Sequence, residues 1–375
     1  MLDSASASLV IIYVSVQVQK QSRNMDIWAV IKHEQPLQKI QVPIPEPTGT
    51  EVLIKVTHCG VCHSDIHFWE GWYDLGDGKR FTISDRGVTL PRAIGHEILG
   101  DVAKLGPDAK GVAVGERRIV YPWIGCGKCR RCLQEEDNLC PQQQSLGVMQ
   151  DGGFASFVLV PHPKYLVDPG DVDPAVACTY GCSGITVYSA ISKILPLEPQ
   201  DPVVLIGAGG LGLSAISMLR ALGHQKIFSV DISADKRAAA IKAGAIDAID
   251  GAGADPIKAI LAATGGPVLG VIDFVNNSKT APLSLAILDK GGKMVQVGVM
   301  GGELKVSLVG LIFKAATIMG NNTGSPAHLR EVARLAREGK LAPIPVTILP
   351  GDEANNALMQ LKDGKITGRV VLTKP

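Results

Sequence analysis

The alternation of apolar and polar positions changes character once along this chain. From Asp26 to about Tyr180 it is broken into short β-like runs, among them EVLIKVTHCG, GHEILGDVAKLG and RRIVYPW, punctuated by Pro and Gly. Runs of that length between turn residues predict an irregular β-rich barrel or sandwich. The stretch PHPKYLVDPGDVDPAVA reads as a connection. Beyond it the period changes. Val203 to Ile206 is a short apolar strand, residues 211–222 have helical spacing, residues 227–230 form a strand and residues 236–243 a helix. VIDFV, KMVQVGV and ATIMG follow as further strand signals. Strands alternating with helices predict a parallel sheet covered on both faces, an α/β arrangement. HLREVARLAREGKL then reads as a helix, GRVVLT as a closing strand, and residues 304–313 as a strand-like apolar stretch.

Composition sharpens this. A chain of 375 residues exceeds one ordinary core, so two domains are expected. Lys plus Arg (37) nearly equals Asp plus Glu (36), which leaves no electrostatic footprint for nucleic acid or an anionic membrane. The apolar run at residues 9–18 is too short to span a bilayer. It also lacks the basic start and small-residue cleavage site of a signal peptide. Residues 1–24 are therefore expected to be a disordered, dispensable extension, with the folded part starting near Met25.

All eight cysteines lie between Cys59 and Cys182, and four of them fall in one short run: Cys126, Cys129, Cys132 and Cys140. Two successive C-x-x-C steps and a loop can close four thiolates round a tetrahedral Zn²⁺, leaving no position for substrate, so this set reads as structural. Disulfides fit poorly in a chain with no secretory signal, and a cytoplasmic, reducing location is expected. An iron–sulfur cluster accepts the same four ligands and remains an alternative on spacing alone.

The second chemical signal is Gly207-Ala208-Gly209-Gly210-Leu211-Gly212, directly after an apolar strand and before a helix. Gly207, Gly209 and Gly212 form G-x-G-x-x-G, whose glycines let a pyrophosphate approach the backbone and the helix N-terminus. Asp231 ends the next strand, at the spacing from which an acid reaches the ribose hydroxyls. Its charge would repel a 2′-phosphate, so NAD is expected over NADP. Lys236 either approaches the adenosine ribose or is a solvated helix residue. A glycine-rich turn in an ordinary α/β sheet is the alternative.

A third set comprises Cys59-Gly60-Val61-Cys62-His63-Ser64-Asp65-Ile66-His67, then Gly95-His96-Glu97, then Cys182-Ser183-Gly184-Ile185-Thr186-Val187-Tyr188. With these motifs in this order the chain resembles the zinc-dependent alcohol dehydrogenases of the medium-chain dehydrogenase/reductase family, from about Met25 to the C-terminus. The resemblance implies a GroES-like β-rich catalytic domain (residues 25–180 and 324–375) and a Rossmann domain (residues 181–323). It implies two zinc ions per chain, one structural and one catalytic, the latter held by Cys62, His96 and Cys182 with one position open. Glu97 would lie behind that zinc, as a neighbour or transient ligand, and Asp65 would orient His96. Ser64 and His67 would carry the alcohol proton to solvent while hydride passes from carbon to NAD⁺. His63 and Arg369 would contact the pyrophosphate, and Thr186 the nicotinamide. A homodimer or homotetramer is implied, with residues 304–313 a candidate for strand pairing across it.

Cys59 and Cys178 compete with Cys62 and Cys182 on spacing, but the family motif positions favour the latter pair. His33, His58, His162, His224 and His328 match no motif and are expected at the surface or in loops. Trp69, Trp72, Tyr73 and Trp123 either line an apolar pocket for a primary, possibly aromatic, alcohol or pack beneath the zinc loop. The functional alternatives are a polyol or amino-alcohol dehydrogenase of the same superfamily and a non-catalytic zinc- and nucleotide-binding protein. The role of residues 74–90 is left open.

Overall fold

The computed structural model describes residues 24–375. The expectation of a disordered extension falls outside the described residues, save for Asn24, which pairs with Pro43 in the first strand, Asn24–Val30.

One sheet is built round Val52–Val61, whose side chains are largely buried. That strand runs antiparallel to Glu97–Leu105 along one edge. On its other edge it pairs with Phe157–Val160 at one end and Arg369–Thr373 at the other. Register matters here: Gly60 faces Glu97 and Val61 faces Val370. Cys62, His96, Glu97 and Arg369 are thereby brought to one end of three neighbouring strands, although they are distant in sequence.

The other sheet has six strands, all parallel. Its spatial order is Asp247–Asp250, Ile227–Asp231, Val203–Ile206, Val268–Asp273, Leu288–Gln296, Thr317–Gly320. That is third, second, first, fourth, fifth, sixth in chain order, the doubly wound Rossmann arrangement. The order reverses beside Val203–Ile206, and ligands in such sheets bind beyond the carboxyl ends of the strands at that point. All four residues of Val203–Ile206 are buried, as expected for a strand covered on both faces. The helix Gly210–Ala221 follows it at once, and Ala234–Ala243 starts at the Ser233 N-cap and stops at Gly244 in the left-handed region.

Several local readings change. Residues 304–313 do not form a strand. Ser307 caps the helix Leu308–Lys314 by accepting from the Gly310 N–H at 3.1 Å, and Ala315 closes it with φ 47°. Residues 304–308 alternate apolar and polar as a strand would, but Leu308 to Phe313 is polar nowhere, so period alone could not separate helix from strand there. The stretch read as a connection holds the strand Leu166–Val167 and the short helix Pro174–Ala177. His224 is buried, with Nε2 2.7 Å from the Asp201 carbonyl oxygen. His58 lies in Val52–Val61, and His328 is in the capping box of Pro326–Arg337.

Residues 74–90 begin in an antiparallel hairpin of Trp72–Asp74 with Arg80–Thr82. Its tip leans on the parallel-sheet half: a Cβ on Gly301 would meet the Asp74 Cβ at 2.5 Å, and one on Gly76 would meet the Glu303 Cβ at 2.9 Å.

Candidate active site

The short helix His63–Glu70 starts at Cys62, and Asp65 organises its N-terminus. One Asp65 oxygen accepts from the Cys62 N–H at 2.8 Å, and the other accepts from the Gly95 N–H at 3.1 Å. The second oxygen is also 3.1 Å from His96 Nδ1. A single buried carboxylate thus ties the two zinc-motif loops together and directs His96 Nε2 the other way. Gly95 sits at φ 88°, and a Cβ there would come within 2.3 Å of the Phe154 ring, so only glycine fits.

Cys62, His96 and Cys182 place their ligand atoms within 4.8 Å of one another. Both His96 ring nitrogens are buried without a hydrogen bond of good geometry: Nδ1 has only the 3.1 Å ion-pair contact with Asp65, and Nε2 has no partner among the described residues. An orphaned imidazole nitrogen costs about 1–3 kcal/mol unless something binds it, and two thiols converge on the same point. The donor set fits a Zn²⁺ ion with three protein ligands. Within the thiol pair, a hydrogen bond from Cys182 pushes Cys62 well below the ordinary thiol range, and the shared proton pushes Cys182 up. A dication at this point would favour the thiolate form of both.

Glu97 stands behind this triangle. One oxygen is ion-paired with Arg369 Nη2, and the other accepts from the Ser183 N–H at 3.1 Å. Burial raises the Glu97 carboxyl and Arg369 opposes the rise. Arg369 is itself buried and packs under the glycine loop, where a Cβ on Gly210 would lie 2.4 Å from its Cδ. Arg369 therefore reaches the metal side through Glu97 and the nucleotide side through the loop backbone.

The four lobe cysteines also converge within 4.8 Å. Sulfur separations of 3.5 Å (Cys129 to Cys132) and 3.8 Å (Cys129 to Cys140) suit ligands round one tetrahedral ion, about 3.8 Å apart for Zn–S bonds, and not a disulfide. Cys140 Sγ accepts from the N–H groups of Cys126 and Gln142 at 3.3 and 3.4 Å. The backbone N–H groups of Lys128 and Cys129 lower the Cys126 thiol to about 6, whereas burial lifts Cys132 to about 12.

At the glycine loop, Gly207 has φ 96° and Gly209 caps the helix Gly210–Ala221, which Leu211 continues. A Cβ on Gly212 would meet the Gly207 carbonyl oxygen at 2.0 Å. Asp231 accepts from the Ala208 N–H at 2.8 Å and the Ser233 N–H at 2.9 Å, which holds its carboxylate at the lip of the crevice. Sequence reasoning passed over Arg237. Its Nη1 donates to the Asp231 and Ile232 carbonyl oxygens and to Asp250, so this cation is already engaged within the protein.

His63 is exposed. Partial desolvation lowers its imidazole, the charge of Cys62 opposes this, and the positive charges of Arg369, His67 and Lys236 add to the lowering. Ser64 and His67 are one helical turn apart, with no direct hydrogen bond between their side chains among the described residues. Burial lowers His67, which lies 3.6 Å from Glu70 and packs on Tyr73 with ring centroids 4.9 Å apart. Thr186 Oγ1 and Trp123 Nε1 are buried without partners, and the Trp123 ring lies 5.3 Å from that of His96. Trp69 turns away and donates to the Gln35 carbonyl oxygen at 2.7 Å, and Arg80 covers Trp72 at 3.7 Å. Of the four aromatics, Tyr73 and Trp123 pack against His67 and His96. A cavity of about 460 Å³, lined by Tyr73, Phe81, Asn276, Gly298, Val299 and others, lies between the hairpin and the carboxyl ends of the parallel strands.

Comparison with known proteins settles the family. The Alcohol dehydrogenase GroES-like domain family matches residues 48–169, and the Zinc-binding dehydrogenase family matches residues 210–338. An NAD-dependent alcohol dehydrogenase of Sulfurisphaera tokodaii is 37% identical over 90% of this chain and 96% of its own length. The chain belongs to the zinc-type medium-chain alcohol dehydrogenases. The crystal structure of the alcohol dehydrogenase from Aeropyrum pernix superposes with TM-score 0.84 at 27% identity, covering 93% of this chain and 99% of that one. The D-arabinose dehydrogenase from Sulfolobus solfataricus superposes with TM-score 0.78 at 28% identity, over 94% and 99%. This alcohol dehydrogenase is accordingly an NAD-using, zinc-binding oxidoreductase with a GroES-like and a Rossmann domain.

Proposed function

We propose that the enzyme oxidises primary alcohols with an apolar aliphatic or aromatic substituent to aldehydes, reversibly. The carrying observation is the buried Cys62, His96 and Cys182 triangle with its orphaned His96 nitrogen; Tyr73, which packs on His67, also walls the separate cavity lined by Phe81, Val299, Asp74, Asn276 and Gln296. A zinc ion there supplies Lewis-acid polarisation of the substrate oxygen. Asp65 holds His96 in the ligating orientation, and Glu97 with Arg369 sets the charge behind the metal. The lobe cysteines hold the structural zinc. Ser64 receives the hydroxyl proton and His67 delivers it to solvent. Asp231 accepts from the adenosine ribose hydroxyls with Lys236 nearby, the 207–212 loop cradles the pyrophosphate with His63 and Arg369 beside it, and Thr186 packs near the nicotinamide. The test is NADH formation with a panel of short aliphatic, long aliphatic, benzylic, secondary and polyol substrates. Activity confined to polyols would overturn the substrate class. No activity from zinc-loaded protein would favour a binding role.

His67→Gln is expected to lower turnover by about 100-fold, the low end of the range of general-base effects. The wild-type rate should fall on acidification through a His67 pKa held below about 6.5. The variant should lack that limb, with its deficit largest near neutrality and shrinking at high pH, where external base is plentiful. Superimposable pH–rate profiles would remove His67 from the relay. Asp231→Ser should raise KM for NAD⁺ by roughly 10-fold or more through loss of charge-assisted hydrogen bonds. It should also narrow the preference over NADP⁺, because the repulsive charge is gone. An unchanged cofactor ratio would contradict the assignment.

A homodimer or homotetramer is supported by the helix Leu308–Lys314, which exposes Leu308, Val309, Ile312 and Phe313 beside the edge strand Thr317–Gly320. Sedimentation equilibrium showing monomer alone would refute it. Among the described residues no helix is long and apolar enough to cross a membrane. A cytoplasmic location is supported by the reduced state of the cysteines, six of them read as zinc ligands and Cys59 and Cys178 as buried thiols.

A further inference from the structure

The segment 320–324, Gly-Asn-Asn-Thr-Gly, belongs to none of the site motifs discussed above, yet its asparagines bond both to the cysteine lobe and to the helix that follows Cys182. It leaves the carboxyl end of the strand Thr317–Gly320, and its Asn321 N–H donates to the Gln296 carbonyl oxygen at 2.9 Å. It therefore starts at the edge of the crevice where the cofactor is proposed to lie. Thr323 is held at φ 51°. A β-branched residue in the left-handed region costs about 1–3 kcal/mol and persists only where its surroundings over-determine it.

Those surroundings are specific. Asn138, buried in the lobe between Cys132 and Cys140, donates through Nδ2 to the Asn322 carbonyl oxygen at 2.8 Å. Asn322 Nδ2 donates back to the Asn138 carbonyl oxygen at 3.2 Å. Next in the chain, the Asn321 side chain braces the helix Ser183–Ile194. Its Oδ1 accepts from Ser189 Oγ and from Lys193 Nζ, both at 2.8 Å, and its Nδ2 donates to the Thr186 carbonyl oxygen at 3.1 Å and to the Thr323 carbonyl oxygen at 3.3 Å. Gly324 packs so closely that a Cβ would meet the Ile185 carbonyl oxygen at 2.5 Å. That helix begins immediately after Cys182 and carries Thr186 in its first turn.

We propose that Asn138 is a positioning residue: with Asn322 it forms a reciprocal amide clasp by which the structural zinc lobe sets the position of Thr186 and hence the affinity of the nicotinamide end of the crevice. The proposal rests on the reading that this crevice binds NAD. The lobe would then do more than stabilise the fold, because its order is transmitted through two adjacent asparagines to the helix flanking the reaction centre.

The test uses the full chain with two zinc ions per chain verified by metal analysis, NADH as the probe, and binding read by fluorescence titration beside thermal melting. Asn138→Ala and Asn322→Ala should each weaken NADH binding by roughly 5-fold or more, within the range of ordinary coupling energies. Each substitution removes one of the two bonds and leaves the other, so the double variant should bind NADH more weakly than either single one. Asn322 is exposed, so its variant keeps the test valid if Asn138→Ala fails to fold. Wild-type NADH affinity in Asn322→Ala, or a lowered melting temperature with unchanged affinity in both, would overturn the clasp. Wild-type protein that binds no NADH would overturn the cofactor reading and the clasp with it.

Discussion

Cys182→Ser is expected to leave a folded protein with about one zinc ion per chain and NADH formation reduced by at least about 1,000-fold. That factor corresponds to the several kcal/mol a Lewis acid contributes to the barrier. The site tolerates the change poorly for a local reason. Cys182 is buried beside Cys62 and His96, and a serine hydroxyl is a weak ligand that keeps its proton. His96 Nε2 would then be orphaned, and Cys62 would lose the neighbour whose hydrogen bond holds its thiol low. The lobe cysteines form a separate cluster and should keep their ion. Metal analysis and a rate assay on the same preparation decide the matter. Two zinc ions with a near wild-type rate would show that Cys182 is not a ligand.

Arg369→Ala should cause the largest loss of stability among the substitutions considered. The Glu97 carboxylate is fully buried, and Arg369 is its only ion-pair partner among the described residues. Removing one member of such a pair costs about 3–5 kcal/mol, because the remaining charge is left uncompensated. The sign of the pH dependence follows from linkage. Burial already holds the Glu97 pKa above its ordinary value, and loss of Arg369 removes the main opposing influence, so the folded-state pKa rises further. A folded-state pKa above the unfolded one means that the native state binds the extra proton, so stability falls as pH rises through that window. The deficit relative to wild type should be smallest near pH 5 and largest near pH 8. Adding Glu97→Gln should recover much of the loss. Melting temperatures of wild type, Arg369→Ala and the Arg369→Ala/Glu97→Gln double variant at both pH values are the measurement. Equal melting of wild type and Arg369→Ala at pH 8 would mean that the pair contributes nothing to stability. NAD binding should weaken as well, since the Arg369 side chain packs directly under Gly210.

How much of this could be read in advance depended on how local each signal was. The strand Val203–Ile206, the glycine loop and Asp231 form one continuous unit, and each part supports the others. The lobe cysteines are equally local, since one short run contains all four ligands. Cys62, His96 and Cys182 are different. Each is unremarkable in its own stretch, and only the resemblance to a family selected them over Cys59 and Cys178. In the structure those two thiols are fully buried, and burial pushes both well above the ordinary range. Edge elements were the hardest to read. Asp247–Asp250 is an edge strand with polar residues at both ends, and Leu308–Lys314 is apolar all round, so neither shows a period.

Short-range chemistry, namely metal-ligand spacing, the phosphate-binding turn and the alternation of strand and helix, is written in residues that are neighbours along the chain. The sequence by itself therefore determined the α/β class and the nucleotide cofactor, while the choice of zinc over an iron–sulfur cluster, and of Cys62, His96 and Cys182 as ligands, came from the resemblance to a family. What required the tertiary structure was every relation between residues that only strand register brings together. Examples are the Asp65 carboxylate joining the Cys62 and Gly95 loops, the Glu97–Arg369 pair linking the metal side to the glycine loop, and the Asn138–Asn322 clasp. No local pattern encodes such contacts. Their partners are chosen by which strand ends meet and by the requirement that every buried charge and amide find a partner there.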